Sequence, residues 1–209
     1  AKPLRNNIGI LMKTFGCHNI VEALNTNSQA QIQNISHHIW SSFFLVVPSI
    51  STTFASINSM FKYLPIESLG WLIVDEAGQA LPQAAIGGLL RTKRAIFTGD
   101  PMQIEPVMTL PNKLSNKICQ EFDIDSLIFS PVYSSAQVLA DSASNYYAEF
   151  HSKNGSRTVG FPLLVHRRCA DPMFTISNNI AYEKLMVNAT STRESNIRQV
   201  LGPSSWFNI

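Results

Sequence analysis

Short apolar runs alternate along this chain with stretches whose hydrophobic residues recur at helical spacing. Over residues 19–41, Val21, Leu24, Ile32, Ile35 and Ile39 form a weak helical stripe, interrupted near Asn25-Thr26-Asn27. Residues 43–47 are continuously apolar and read as a buried strand, with Pro48 limiting its ladder on one side. Ser51-Thr52-Thr53 then offers an N-cap for a helix running through Phe61. Residues 72–74 are the next strand. Residues 81–90 form a helix with Pro82 in its first turn, where proline is tolerated, and residues 95–98 are a third strand. Strand, helix, strand, helix, strand with short connections predicts a right-handed parallel α/β sheet.

After Pro106 the pattern loosens. Residues 113–122 read as a helix, and residues 134–142 as another that begins at Ser134-Ser135. Residues 145–160 are polar and contain glycine, as expected of a hairpin or linker. Residues 162–166 restart the apolar pattern as a strand, and 172–182 follow as a helix with proline at its start. The closing residues 202–209 read as the opening of a further strand. Residues 1–16 are mildly basic and begin as if in mid-fold. No internal repeat or low-complexity segment is evident.

The 209 residues, 45% of them hydrophobic, suffice for one sizeable core or one and a half domains. Only 14% are charged, against the usual ~25%, so many faces are expected to lie against other protein. A net charge of +2 is too mild to announce a nucleic-acid binder. The clusters Arg91, Lys93, Arg94 and Arg167, Arg168 read first as solvated surface. Cys17, Cys119 and Cys169 are far apart and form no C-x-x-C pair, which argues against a zinc site and a disulfide framework. His37-His38 reads as a helix-end feature rather than a metal site. A reduced, cytoplasmic setting fits best, with no signal peptide and no apolar run of membrane-spanning length.

The densest chemistry lies where two apolar runs end. Trp71-Leu72-Ile73-Val74 stops at Asp75-Glu76, followed by Ala77-Gly78-Gln79, and the later run stops at Phe97-Thr98-Gly99-Asp100-Pro101-Met102-Gln103. Ligands of parallel α/β sheets sit at the carboxyl ends of strands. Two acidic tips at one such edge point to nucleoside triphosphate chemistry, which asks mainly for positioning and charge neutralisation. Asp75 can hold magnesium and Glu76 can orient or deprotonate an attacking water, if the turn starting at Glu76 swings it round. The plain alternative for Asp75-Glu76 is an acidic cap on the next helix. Gln103, with donor and acceptor, can sense a γ-phosphate oxygen. An arginine such as Arg168 can stabilise charge on a transferring phosphoryl group; the plain alternative is a salt bridge at a domain seam.

These residues carry a family resemblance. Val74-Asp75-Glu76-Ala77-Gly78-Gln79-Ala80 resembles the Walker B box of superfamily 1 helicases, in the form used by the up-frameshift and replication helicase–nuclease branch. Gly99-Asp100-Pro101-Met102-Gln103-Ile104-Glu105-Pro106-Val107 resembles that branch's motif III. Residues 47–56, with Ser51-Thr52-Thr53, are similar to the Thr-rich loop that touches nucleic acid in the family. His166-Arg167-Arg168, Pro172-Met173-Phe174, Ser177-Asn178 and Ala181-Tyr182 resemble the motif that opens the second RecA-like domain. There the commoner form is Gln-Tyr-Arg-x-x-Pro, so only Arg168 carries over directly.

The resemblance covers roughly residues 43–209. It implies an incomplete RecA-like α/β fold of the P-loop NTPase type. Residues 1–110 would be the back of the first RecA-like domain, 111–161 a connector and 162–209 the truncated start of the second. It implies ATP and Mg2+ as cofactors, single-stranded or duplex DNA or RNA as partner, and no membrane. By its motifs Asp75 is the metal ligand, Glu76 the general base, and Gln103 and Arg168 catalytic contacts. Gly99, Asp100, Gln103 and Arg168 line the nucleotide, and Thr52 and Thr53 touch nucleic acid. No Gly-x-x-x-x-Gly-Lys-Ser/Thr occurs, and Lys13-Thr14-Phe15-Gly16 is no substitute because no glycine precedes the lysine at the right distance. The expectation is therefore a central piece of a longer helicase, itself a poor ATPase. Two alternatives stand beside it: an ATP-independent module that binds nucleic acid or protein, and a metal-dependent nuclease using Asp75, Glu76 and Asp100.

Overall fold

Trp40 explains how the first described helix meets the rest of the chain. The computed structural model describes residues 29–100, 102–152, 155–190 and 196–202, with the single positions 5, 6 and 9. Helix α1, Gln29–Phe44, carries Trp40 near its end. The Trp40 ring packs on Phe43, Phe44 and, at 4.8 Å between centroids, on Phe61 beyond α2, Phe54–Met60. Around that contact lies the core of Ile57, Phe61 and Leu64, with Ile50, Leu69 and Leu72 against it.

The strand expected over 43–47 does not form. Phe43 and Phe44 complete α1, and the Val46 and Val47 amides both donate back to the Phe43 carbonyl at 3.0 and 2.9 Å. A turn closing the helix thus takes the groups that a ladder would need. A short apolar run cannot be told from a helix end by periodicity, and here the aromatic spacing of three and four residues from Trp40 decides it. Leu45 is left 71% exposed.

Strands β1, Leu72–Val74, and β2, Ala95–Phe97, pair in parallel with Val74 opposite Phe97. Between them run two 3-10 turns, Ala77–Gln79 and Pro82–Ala85, and helix α3, Ile86–Leu89. Proline at the second turn supplies the fixed φ that opens the helical segment. Arg91, read from sequence as solvated, instead bonds into the fold. It donates to the Phe61 carbonyl at 2.9 Å and to the Gly87 carbonyl at 2.6 Å. Three helices follow: α4, Asn112–Glu121; α5, Ser126–Phe129; and α6, Ala136–Ser142. Asp125 and Ser135 cap the last two by accepting from the Leu127 and Val138 amides.

The chain divides into two units, Ala1–Ala143 and Ser144–Ile209. In the second, β3, Ala148–Ser152, and β4, Gly155–Val159, form an antiparallel hairpin. Strands β5, Val165–His166, and β6, Val187–Asn188, pair in parallel around helix α7, Met173–Ala181, and helix α8 is Asn196–Leu201. The strand expected over 162–166 is thus limited to its last two residues. Buried Asn178 spans the turn after α7: its Oδ1 accepts from the Met186 amide and its Nδ2 donates to the Met186 carbonyl, each at 3.0 Å.

Small parallel sheets with helices make this an α/β fold. The sheet of the first unit has two strands among the described residues. The expectations placed on Lys13-Thr14-Phe15-Gly16, Cys17, the start of the 19–41 stripe and the strand at 203–209 fall outside the described residues.

Candidate active site at the strand tips

Parallel, in-register pairing of β1 with β2 sends both following loops off one edge of the sheet. Continuing the register one residue past Val74–Phe97 sets Asp75 beside Thr98. The Thr98 hydroxyl lies 3.2 Å from Asp75 Oδ1 and 3.1 Å from the Val74 carbonyl. Asp75 Oδ1 also accepts from the Glu76 amide at 3.0 Å. Both carboxylates are exposed.

Glu76 sits in the left-handed region, φ 53 and ψ 40. A side chain pays for that conformation by order 1 kcal/mol or more, and such residues cluster at functional turns. The reversal ends the strand's two-sided alternation and starts the Ala77–Gln79 turn. Glu76 Oε2 accepts from Gln79 Nε2 at 3.2 Å, which fixes the carboxylate over its own turn.

The second tip folds on itself. Asp100 Oδ1 accepts from the Met102 amide at 2.9 Å, and its Oδ2 accepts from Gln103 Nε2 at 3.0 Å. Gln103 is exposed. The two tips abut where the glycines are. The Ala77 amide donates to the Thr98 carbonyl at 2.8 Å. A Cβ on Gly99 would lie 2.9 Å from the Gly78 nitrogen and 3.0 Å from the Ala77 nitrogen. Only a residue without Cβ allows so close an approach.

Asp75, Glu76, Gly99, Asp100 and Gln103 therefore share one edge. Thr52 and Thr53 lie on the loop into α2: Thr53 Oγ1 donates to Ser56 Oγ at 3.4 Å, and Thr53 is the N-cap by backbone without a side-chain cap bond. A shallow cleft of about 340 Å³ brings Phe54, next to that loop, together with Gln79 and with Ile104, Glu105 and Val107 beyond the second tip. Arg168 is exposed and belongs to the second unit, beside a loop where His166 Nε2 accepts from the Cys169 amide at 2.7 Å.

The donor set at the tip suits magnesium, which takes carboxylate and hydroxyl oxygens and keeps several waters. Asp75 is an exposed carboxylate with its Oδ1 already oriented by Thr98. Among the described residues no three His, Cys, Asp or Glu side chains converge, and the nuclease alternative needs such a set. Nor is any helix among them long and apolar enough to cross a membrane.

Three residues of the site escaped the sequence reading. Thr98 was legible in principle, since strand register puts it opposite Asp75. Gln79 follows from the turn. Gln137 has no local signal: it arrives from α6, and its Nε2 donates to the Gly99 carbonyl at 3.3 Å.

Comparison with curated proteins and with solved structures gave no match. A family model described as an AAA domain matches residues 13–110, the segment that holds both strand tips. The match makes residues 13–110 similar to a domain found in superfamily 1 helicases and supports a helicase-like ATPase segment there.

Proposed function

We propose that this chain is the central part of an ATP-dependent helicase or translocase that couples ATP hydrolysis to movement on nucleic acid. The observation carrying the reading is the in-register pairing of β1 with β2, which sets Asp75-Glu76 and the Gly99–Gln103 loop at one sheet edge. The sheet is read as part of a RecA-like domain, residues 1–110. Residues 111–161 are the connector, and 162–209 the start of a second such domain.

Magnesium held there would neutralise charge on the phosphates. Asp75 is its ligand, held in one orientation by the Thr98 hydroxyl and the Glu76 amide. Glu76 accepts the proton of the attacking water; the left-handed turn sets its carboxylate, and Gln79 steadies it. Gln103 leaves its Asp100 partner to contact the γ-phosphate, so its side chain reports whether nucleotide is present. Arg168 keeps the role of transition-state arginine that its motif implies. Thr52 and Thr53 offer hydroxyls to the nucleic-acid backbone, as positioning contacts without sequence preference.

The test is steady-state ATP turnover by the full-length protein with and without single-stranded DNA or RNA. Stimulation of at least about tenfold is expected, as when an order of 1.4 kcal/mol is taken from the barrier. Nucleic-acid binding with no ATP turnover would favour the ATP-independent module instead.

A further inference from the structure

We propose that Gln137 is a positioning residue that clamps the 76–80 turn to the 98–103 loop, so that the two strand tips move as one body. Its consequence for turnover rests on the ATPase reading above; its structural content does not.

Gln137 is the second residue of α6 and only 8% exposed. The helix start is fixed by its Ser135 cap, and the Ala136 amide donates to the Ala80 carbonyl at 2.9 Å, at the far end of the first turn. One residue later, Gln137 Nε2 donates to the Gly99 carbonyl at 3.3 Å. Consecutive residues of one helix thus hold one loop each. The bonds described directly between the tips lie at their base, at Ala77 and Thr98. Gln137 reaches the next residue outward, where the catalytic side chains begin.

Its other amide atom points the same way. Oε1 is buried and has no hydrogen-bond partner among the described residues. It lies against both glycines: a Cβ on Gly78 would stand 3.1 Å from it, and one on Gly99 would overlap it. A buried amide oxygen without a partner is costly. Leucine, of similar size, would fill the space without that cost but could not donate to Gly99. The amide is explained by the clamp and not by packing.

The test is hydrogen exchange on the full chain, comparing wild type with Gln137→Leu. Exchange of residues 76–80 and 98–103 should accelerate together by at least about tenfold, with 112–121 unchanged. Acceleration in neither segment, or in one alone, overturns the clamp. If Gln137→Leu does not fold, Gln137→Glu decides. Its ionised carboxylate faces the Gly99 carbonyl without a proton to give, whereas the protonated form donates. Burial raises a carboxyl pKa, so protection in both segments, corrected for intrinsic rates, should be low near about pH 8 and recover towards wild type near about pH 5. Protection independent of pH overturns the proposal. In the full-length protein Gln137→Leu should lower kcat by about tenfold or more with KM for ATP within about threefold, because a loop displaced by a fraction of an ångström misplaces the reacting groups. Unchanged kcat also counts against it. A wild-type protein that does not hydrolyse ATP overturns the ATPase reading and leaves the exchange result standing.

Discussion

Gly99→Ala perturbs the point where the two strand tips touch, and its cost can be worked from the geometry. The added methyl would lie 2.9 Å from the Gly78 nitrogen and 3.0 Å from the Ala77 nitrogen, where ordinary contacts begin at 3.4 Å. About half an ångström must be found, and two of the obstructing atoms are backbone. One of them, the Ala77 nitrogen, is held by its 2.8 Å bond to the Thr98 carbonyl. Overpacking of this kind costs roughly 1–3 kcal/mol. Replacing glycine by alanine also restricts the unfolded chain, which offsets about 0.4–1 kcal/mol. The net expectation is a loss of about 1–2 kcal/mol in urea unfolding of the chain, with an unchanged m-value. Turnover of the full-length protein should fall by about tenfold, since a 1 Å misplacement costs about 10²-fold. Adding Gln137→Ala relieves the side-chain overlap but leaves both backbone clashes and deletes the bond to the Gly99 carbonyl, so the double variant should be no more stable than Gly99→Ala. A Gly99→Ala protein with wild-type urea midpoint and wild-type turnover would refute the close approach of the tips.

Three further outcomes follow from single contacts. Thr98→Val removes the hydroxyl that orients Asp75 and should raise the magnesium concentration for half-maximal turnover by about tenfold or more, as outer-shell losses do; an unchanged magnesium titration would count against that role. Arg91→Ala deletes the bonds to the Phe61 and Gly87 carbonyls and should destabilise the chain by about 2–3 kcal/mol in urea unfolding; a change under about 0.5 kcal/mol would return Arg91 to ordinary surface. Asn178→Ala strips the two-bond bridge to Met186 and should cost about 2–3 kcal/mol, with faster amide exchange at Met186 and Val187 as the local readout.

Much of the site was legible because its residues are local to strand ends. An apolar run that stops at Asp75-Glu76, and another that stops at Thr98-Gly99-Asp100, place these residues at one sheet edge before any coordinates. Residues 145–160 read as a hairpin or linker, and a hairpin forms over 148–159; the helix from Ala136 was written in its Ser135 cap and the one from Met173 in the proline before it. Residues 43–47 were not legible, because an apolar run carries no information on whether Trp40 stacks along a helix or a ladder forms. Asn178 bridging Met186 and Gln137 meeting Gly99 are long-range or cross-turn contacts between polar side chains and backbone, which no periodicity encodes. Arg91 fell to the same limit: its charge was visible, but the carbonyls that receive it are set by the fold.

Glu76→Gln in the full-length protein tests the central claim most directly, by measuring ATP affinity and ATP turnover on the same preparation. The account predicts ATP binding close to wild type with hydrolysis reduced by at least ~10², the scale of a lost general base. Hydrolysis at the wild-type rate would contradict it.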